Sequence, residues 1–157
     1  MSNLIELAFE GVPSARLNDF IGVLVNDSSV LSVDVSEVDG VLAKWDGDVE
    51  KIMSAISSAS AMVSLNLDRV DWPQLAILRT HLQVVRYDGR YDVMLSFTDS
   101  DISCKGSVAP IEALHACAVE FLTISGGENV YCGYEPAHDK KTRFFTNNCK
   151  GPLLDFW

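Results

Sequence analysis

Between Pro110 and Ile124 the chain reads Pro-Ile-Glu-Ala-Leu-His-Ala-Cys-Ala-Val-Glu-Phe-Leu-Thr-Ile, and this run limits the fold more than any other. Pro110 suits the first position of a helix, where its missing N–H leaves no bond unmade. Glu112 falls in the first turn, where the helix dipole favours a negative charge. Gly126-Gly127 offers the left-handed residue that ends a helix. Within these limits Ile111, Leu114, Ala118, Phe121 and Leu122 form one stripe. Ala113, Ala116, Cys117 and Ile124 leave little of the other side polar. A helix apolar almost all round is a buried helix. At about fifteen residues it is too short to cross a membrane, which takes roughly twenty. A sheet is its natural cover.

The rest of the chain supplies that sheet. Leu4–Glu10 reads as a strand with Ile5, Leu7 and Phe9 on one face. Leu17, Phe20, Ile21 and Leu24 recur at helical spacing and predict a helix over 14–25, with Ser14 as a candidate cap. Val30–Val35 is a second strand. Asp39-Gly40 and Asp46-Gly47 are turn signals, and 41–45 between them fits a short edge strand or a helical turn. Val49, Ile52, Met53 and Ile56 predict a helix over 49–58 with Asp48 as its N-cap. Ala61–Leu67 alternates as a strand, and Asp71-Trp72-Pro73 opens a short helix or turn through Leu78.

Leu82–Tyr87 and Arg90–Thr98 then flank Asp88-Gly89, the signature of a type I′ hairpin, whose two central residues both need positive φ. Asp99–Ser103 leads out as a loop or a short extension. Asn129–Tyr134 and Thr142–Thr146 are further strands. Residues 147–157 are irregular, and their aromatic end is expected to dock on the body. The expectation is a single α+β domain over 1–157. Its mostly antiparallel sheet, of about five to seven strands, packs against the central buried helix.

Composition narrows the function classes. The chain has 157 residues, 48% hydrophobic and 22% charged, which is a globular and not a disordered balance. Met1-Ser-Asn-Leu-Ile-Glu leads straight into a strand, so neither a signal peptide nor a transmembrane segment is expected and the address is cytoplasmic. Four isolated cysteines, Cys104, Cys117, Cys132 and Cys149, form no Cys-x-x-Cys pair, which argues for reduced thiols and against zinc. The net charge is −10, and it is uneven: residues 1–72 hold twelve Asp/Glu against four Lys/Arg, residues 73–157 ten against eight. Such a chain is a poor direct partner for nucleic acid, which is held by cationic side chains. A basic protein partner is favoured. Plain solubility explains the acidity equally well.

No catalytic motif stands out. There is no glycine-rich phosphate loop, no Gly-x-Ser-x-Gly and no His-Glu-x-x-His. His115 reads as a hydrogen-bonded core histidine, and His81 has no evident partner. Glu135 and His138 lie three apart, but Pro136 favours a turn and no third ligand follows. Asp46/Asp48 and Asp99/Asp101 are better explained by turn chemistry than by calcium. Accordingly no catalytic residue, metal or cofactor is assigned. Cys132 and His138 leave an alternative open: a small enzyme or ligand-binding domain with its pocket near Cys132–Asp139.

The best binding candidate is the acidic segment Asp34–Glu50. Asp34, Glu37, Asp39, Asp46, Asp48 and Glu50 surround Trp45, with Lys44 alone opposing. Acid steers a basic partner and an aromatic anchors it. A solvated face with Trp45 folded inward accounts for the same residues.

Gly133-Tyr-Glu-Pro-Ala-His-Asp139, with Thr142-Arg-Phe-Phe and Gly151-Pro-Leu, resembles the C-terminal region of immunity proteins of bacterial polymorphic and contact-dependent toxin systems. The resemblance covers about the last 25 residues, beside the general character of a small acidic α+β chain with lone cysteines. It implies a protein that binds a cognate toxin domain and occludes its active site without catalysis. Apart from the resemblance, which transfers no binding residue, Tyr134, Glu135, His138 and Asp139 in this turn are secondary candidates for partner contact, should the acidic segment not be the interface.

Overall fold

The computed structural model describes residues 2–26, 29–35, 45–54 and 61–154. Glu37 and Asp39, the segment 41–44, the expected helix end at 55–58, and Phe156 and Trp157 lie outside the described residues. Three helices are described: α1 (Ser14–Leu24), α2 (Val49–Ser54) and α3 (Pro110–Ser125). The strands are β1 (Leu4–Pro13), β2 (Val30–Val35), β3 (Ala61–Asp71), β4 (Leu75–Tyr87), β5 (Arg90–Thr98), β6 (Ile102–Cys104), β7 (Asn129–Tyr134), β8 (Arg143–Thr146) and β9 (Cys149–Lys150). They form one sheet in the order β2-β3-β4-β5-β1-β7-β8-β9, with β6 beside β4. Every pairing is antiparallel. The count exceeds five to seven because β6 and β9 are too short, at three and two residues, to leave a periodic pattern.

Period-two alternation decides which residues are covered. Ile5, Leu7 and Phe9 of β1, Val63 and Leu65 of β3, Leu82 and Val84 of β4, and Val93, Leu95 and Phe97 of β5 are all buried on one face. The helices lie on that face. Phe20 of α1 meets Phe9 edge-on at 4.9 Å, and Phe121 of α3 meets Trp72 in the same way at 4.8 Å. His115 of α3 stacks on Phe145 of β8 at 4.2 Å. Arg86 of β4 donates to the Met53 carbonyl at the end of α2 at 3.0 Å. The Trp72 indole N–H reaches the Leu24 carbonyl at 3.0 Å and ties the β3–β4 turn to the end of α1.

Helix α3 begins with Pro110 in its first turn, and Gly126 ends it in the left-handed conformation at φ 66°. Ile111, Ala113, Leu114, Cys117, Ala118 and Phe121 are buried. The helix is not apolar all round in its setting: Glu112, Ala116, Glu120 and Thr123, at helical spacing, make an exposed stripe. It shares one layer with α1 and α2, so alanine on its outer side carries no demand for cover.

Three local expectations change. Ser14 is the first residue of α1 and not its cap; Pro13 holds the N-cap position without a side-chain bond, and the Ser14 hydroxyl donates to Glu50 instead. Residues 71–78 are not helical. Trp72 and Leu75 exchange backbone bonds in a tight turn, and Leu75-Ala76-Ile77 is already β4, paired with both β3 and β6. Flanked on both sides, that apolar triplet needs no helical stripe to be buried. His81 does have a partner, the Asn66 side-chain oxygen at 2.9 Å across β3 and β4.

The hairpin is as expected, with Asp88 at φ 46° and Gly89 at φ 73°. At the far end Leu153 and Leu154 are half-buried against the core.

Candidate partner-binding surface

The acidic segment is divided between two places. Asp34 is exposed on β2, at an end of the strand order, opposite Ser64. Asp46, Asp48 and Glu50 belong to the helical layer, where internal bonds engage them. Asp48 accepts the Lys51 backbone N–H at 3.0 Å as the cap of α2, and the Asn18 amide at 2.8 Å. Asp46 accepts the Asp48 N–H at 3.1 Å and pairs with the Lys51 ammonium at 3.1 Å. The bond from Lys51, then that from the Asp48 backbone, holds the Asp46 carboxyl below its ordinary range. Glu50 accepts from Ser14. Trp45 is half-buried and packs on the core. Asp48 and Glu50 thus dock α2 onto Asn18 and Ser14 of α1, a role in the fold that their spacing along the chain did not reveal.

The C-terminal candidates cluster around a loop. Tyr134 is half-buried, its ring edge-on to Phe144 at 4.9 Å. Glu135, His138 and Asp139 are exposed. Asp139 caps the following turn through the Lys141 N–H at 2.9 Å. Arg143 holds the loop: its guanidinium donates to the carbonyls of Ala137 at 2.9 Å and His138 at 3.2 Å, and to Thr146 at 3.0 Å. The same guanidinium lies over the Tyr131 ring at 4.2 Å. The Ala137 N–H donates to Glu6 of β1 at 2.9 Å. The loop therefore borders the face of the sheet that points away from the helices.

Across that face the register aligns Asp34, Ser64, Gln83, Met94, Ala8 and Tyr131, one residue per strand from β2 to β7. Among the described residues no helix covers it. A neighbouring row carries Ser32, Asn66 and His81, where Asn66 donates to Ser32 at 2.8 Å and meets His81. In the middle lies a hollow of about 170 Å³ lined by Ala8, Glu10, Gln83, Val85, Asp92, Met94 and Tyr131. Of these, no residue was singled out from the sequence. The available signal was the apolar residues at outward positions of alternating strands, Met94 in β5 above all.

The Cys132–His138 pairing does not form a site. Cys132 is fully buried, and burial pushes its thiol far above the ordinary range, so it stays protonated. His138 is exposed on the loop. Among the described residues no group of three or more His, Cys, Asp or Glu could hold a metal ion. Nor is any helix there long and apolar enough to cross a membrane.

The model of the PABL017 Cdi1I immunity protein family matches residues 3–150. No curated protein matches the chain. A similar fold occurs in a chain of the crystal structure of the toxic C-terminal tip of CdiA from Pseudomonas aeruginosa in complex with immune protein. The TM-score is 0.73 and the identity 25%, over 98% of this chain and 100% of that one. With nearly the whole length matched, the chain belongs to the Cdi1I immunity protein family, and the expectation of an immunity protein, not an enzyme, stands with it.

Proposed function

We propose that this immunity protein neutralises the toxic C-terminal domain of a CdiA-type partner by forming a stoichiometric complex that occludes the toxin's active site. The family match over residues 3–150 carries the reading, and the similar chain comes from a structure of such a toxin tip with its immune protein. In this reading the complex forms in the cytoplasm, without cofactor or nucleic acid, and the toxin surface is basic. Asp34 at one margin and Tyr134, Glu135, His138 and Asp139 at the other meet its rim. Glu37, Asp39, Trp45, Asp46, Asp48 and Glu50 supply a second acidic contact. Helix α3 is the central support behind the sheet.

Co-expression tests this. The chain should restore growth to cells making its cognate CdiA-type toxin domain, and the two should co-purify at one to one. Growth restored with no complex formed would point to an enzymatic antidote and refute the reading.

A further inference from the structure

One face of the sheet is buried under three helices; the other is open among the described residues, and its centre does not look like a solvated surface. A one-sided antiparallel sheet places polar residues outward. Here Met62, Val85 and Met94 point outward and are half-buried, with Ala8 between β5 and β7 buried among them. Polar residues surround this apolar centre: Ser32, Asn66 and His81 in the neighbouring row, Asp34 at the β2 edge, and the loop held by Arg143 beyond Tyr131. An apolar centre within a polar rim is the layout of a protein interface.

The charge at the centre is unbalanced. The Glu10 carboxylate, half-buried in the hollow, accepts no hydrogen bond and has no ion-pair partner among the described residues; the backbone carbonyl is engaged, by the Glu128 N–H at 2.8 Å. Its carboxyl is raised above the ordinary range by burial first, then by Asp92; Arg143 opposes this, and Glu128 adds to it. The cations nearby are committed elsewhere. Arg90 binds Glu128 at 3.3 Å and the Gly11 carbonyl at 3.1 Å. Arg143 binds Ala137, His138 and Thr146. Asp92 accepts the Gly11 N–H at 3.1 Å and has no ion-pair partner among the described residues. The hollow, about 170 Å³, is below the roughly 300–1,000 Å³ of small-molecule sites. It compares with the roughly 150 Å³ that holds a single benzene, room for one long side chain.

We propose that the open face of the sheet is the toxin-docking surface, and that its hollow seats one arginine or lysine of the toxin domain. The cation lies between the carboxylates of Glu10 and Asp92, with its stem on Met94, Val85 and the Tyr131 ring. This rests on the functional reading above and places its centre on residues distinct from those at the rim. A cation–π contact with Tyr131 favours arginine, although Arg143 already lies over one side of that ring.

The test is charge reversal. Glu10→Lys puts the chain's own cation into the hollow and relieves repulsion with Asp92 and Glu128, so the variant should fold and melt no lower than the parent. Its affinity for the purified CdiA-type toxin domain that the parent chain neutralises should fall about 100-fold or more. Tyr131→Ala and Met94→Ala should lose affinity mainly through faster dissociation. A parent chain that does not bind this domain would remove the functional reading and this inference together. A parent that binds, with Glu10→Lys within about twofold of it and equally well folded, would overturn the docking surface alone.

Discussion

The two faces of the sheet are made by the same strands and differ in what alternate residues are asked to do. On the covered face Leu7, Leu65 and Leu95 have no exposed surface, and each sits beneath a helix layer fastened by ring contacts and by the Trp72–Leu24 bond. On the open face Ala8, Ser64 and Met94 occupy the neighbouring positions of the same strands. The first set is held by the chain itself, and its value is stability. The second set has no helix over it among the described residues and lies beside the carboxylates of Glu10 and Asp92, and in the docking proposal its value lies in what binds. Matched substitutions on the two faces should therefore fail in different assays.

The largest contrast is between Phe121 and Met94. Phe121 is 6% exposed and packs on Trp72; Phe121→Ala should cost about 3–5 kcal/mol in urea unfolding. Met94→Ala should cost less than about 1 kcal/mol. Equal losses would mean that the open face is also covered in the isolated chain. A smaller effect separates two acidic places. Asp48 caps α2, so Asp48→Ala should lower stability by about 1 kcal/mol, read as a shift in the thermal midpoint. Its effect on toxin binding should be below that of Glu10→Lys. The reverse ranking would move the interface to the α2 side.

The smallest effect is a pH dependence. Folding raises the Glu10 carboxyl above its ordinary 4.5, so the folded state holds that proton more tightly than the unfolded chain. The stability this gives is complete below the unfolded value and is lost as pH rises through the folded one. Glu10→Gln should thus melt slightly above the parent at pH 7 and level with it near pH 4, by less than about 1 kcal/mol since the group is partly solvated. A variant that melts lower at pH 7 would show that the Glu10 charge is compensated within the fold.

Much of the fold was legible because burial writes a period into the sequence. Ile5, Leu7 and Phe9, the stripe of α1, the Asp88-Gly89 turn and the Gly126 stop each follow from one local rule. Leu75–Ile77 was misread because a strand flanked on both sides has no alternation, and β6 and β9 because two or three residues have no period. The candidate surfaces were less legible. Asp34 to Glu50 are near in sequence, yet β2 and α2 carry them apart. Glu10 and Asp92 are 82 positions apart and meet only through the β1–β5 pairing. Adjacency along the chain suggests one acidic patch, and strand order brings a second pair of carboxylates, Glu10 and Asp92, together on the sheet.

That strand order also has a consequence for timing. β1 is synthesised first, but its two neighbours are β5 and β7, so Ile5 pairs with Phe97 and Tyr134. At translation rates of roughly 5–20 residues per second, the strand that completes its pairing emerges many seconds later. Until β5 emerges Ile5, Leu7 and Phe9 have no sheet to join, and until β7 emerges they have it on one side only; contacts this remote in sequence form slowly in any case. Protection by a newly made molecule therefore lags its synthesis, and a ribosome that stops before β7 releases a chain whose central strand is bare along one edge. A cell exposed to toxin depends on molecules already finished.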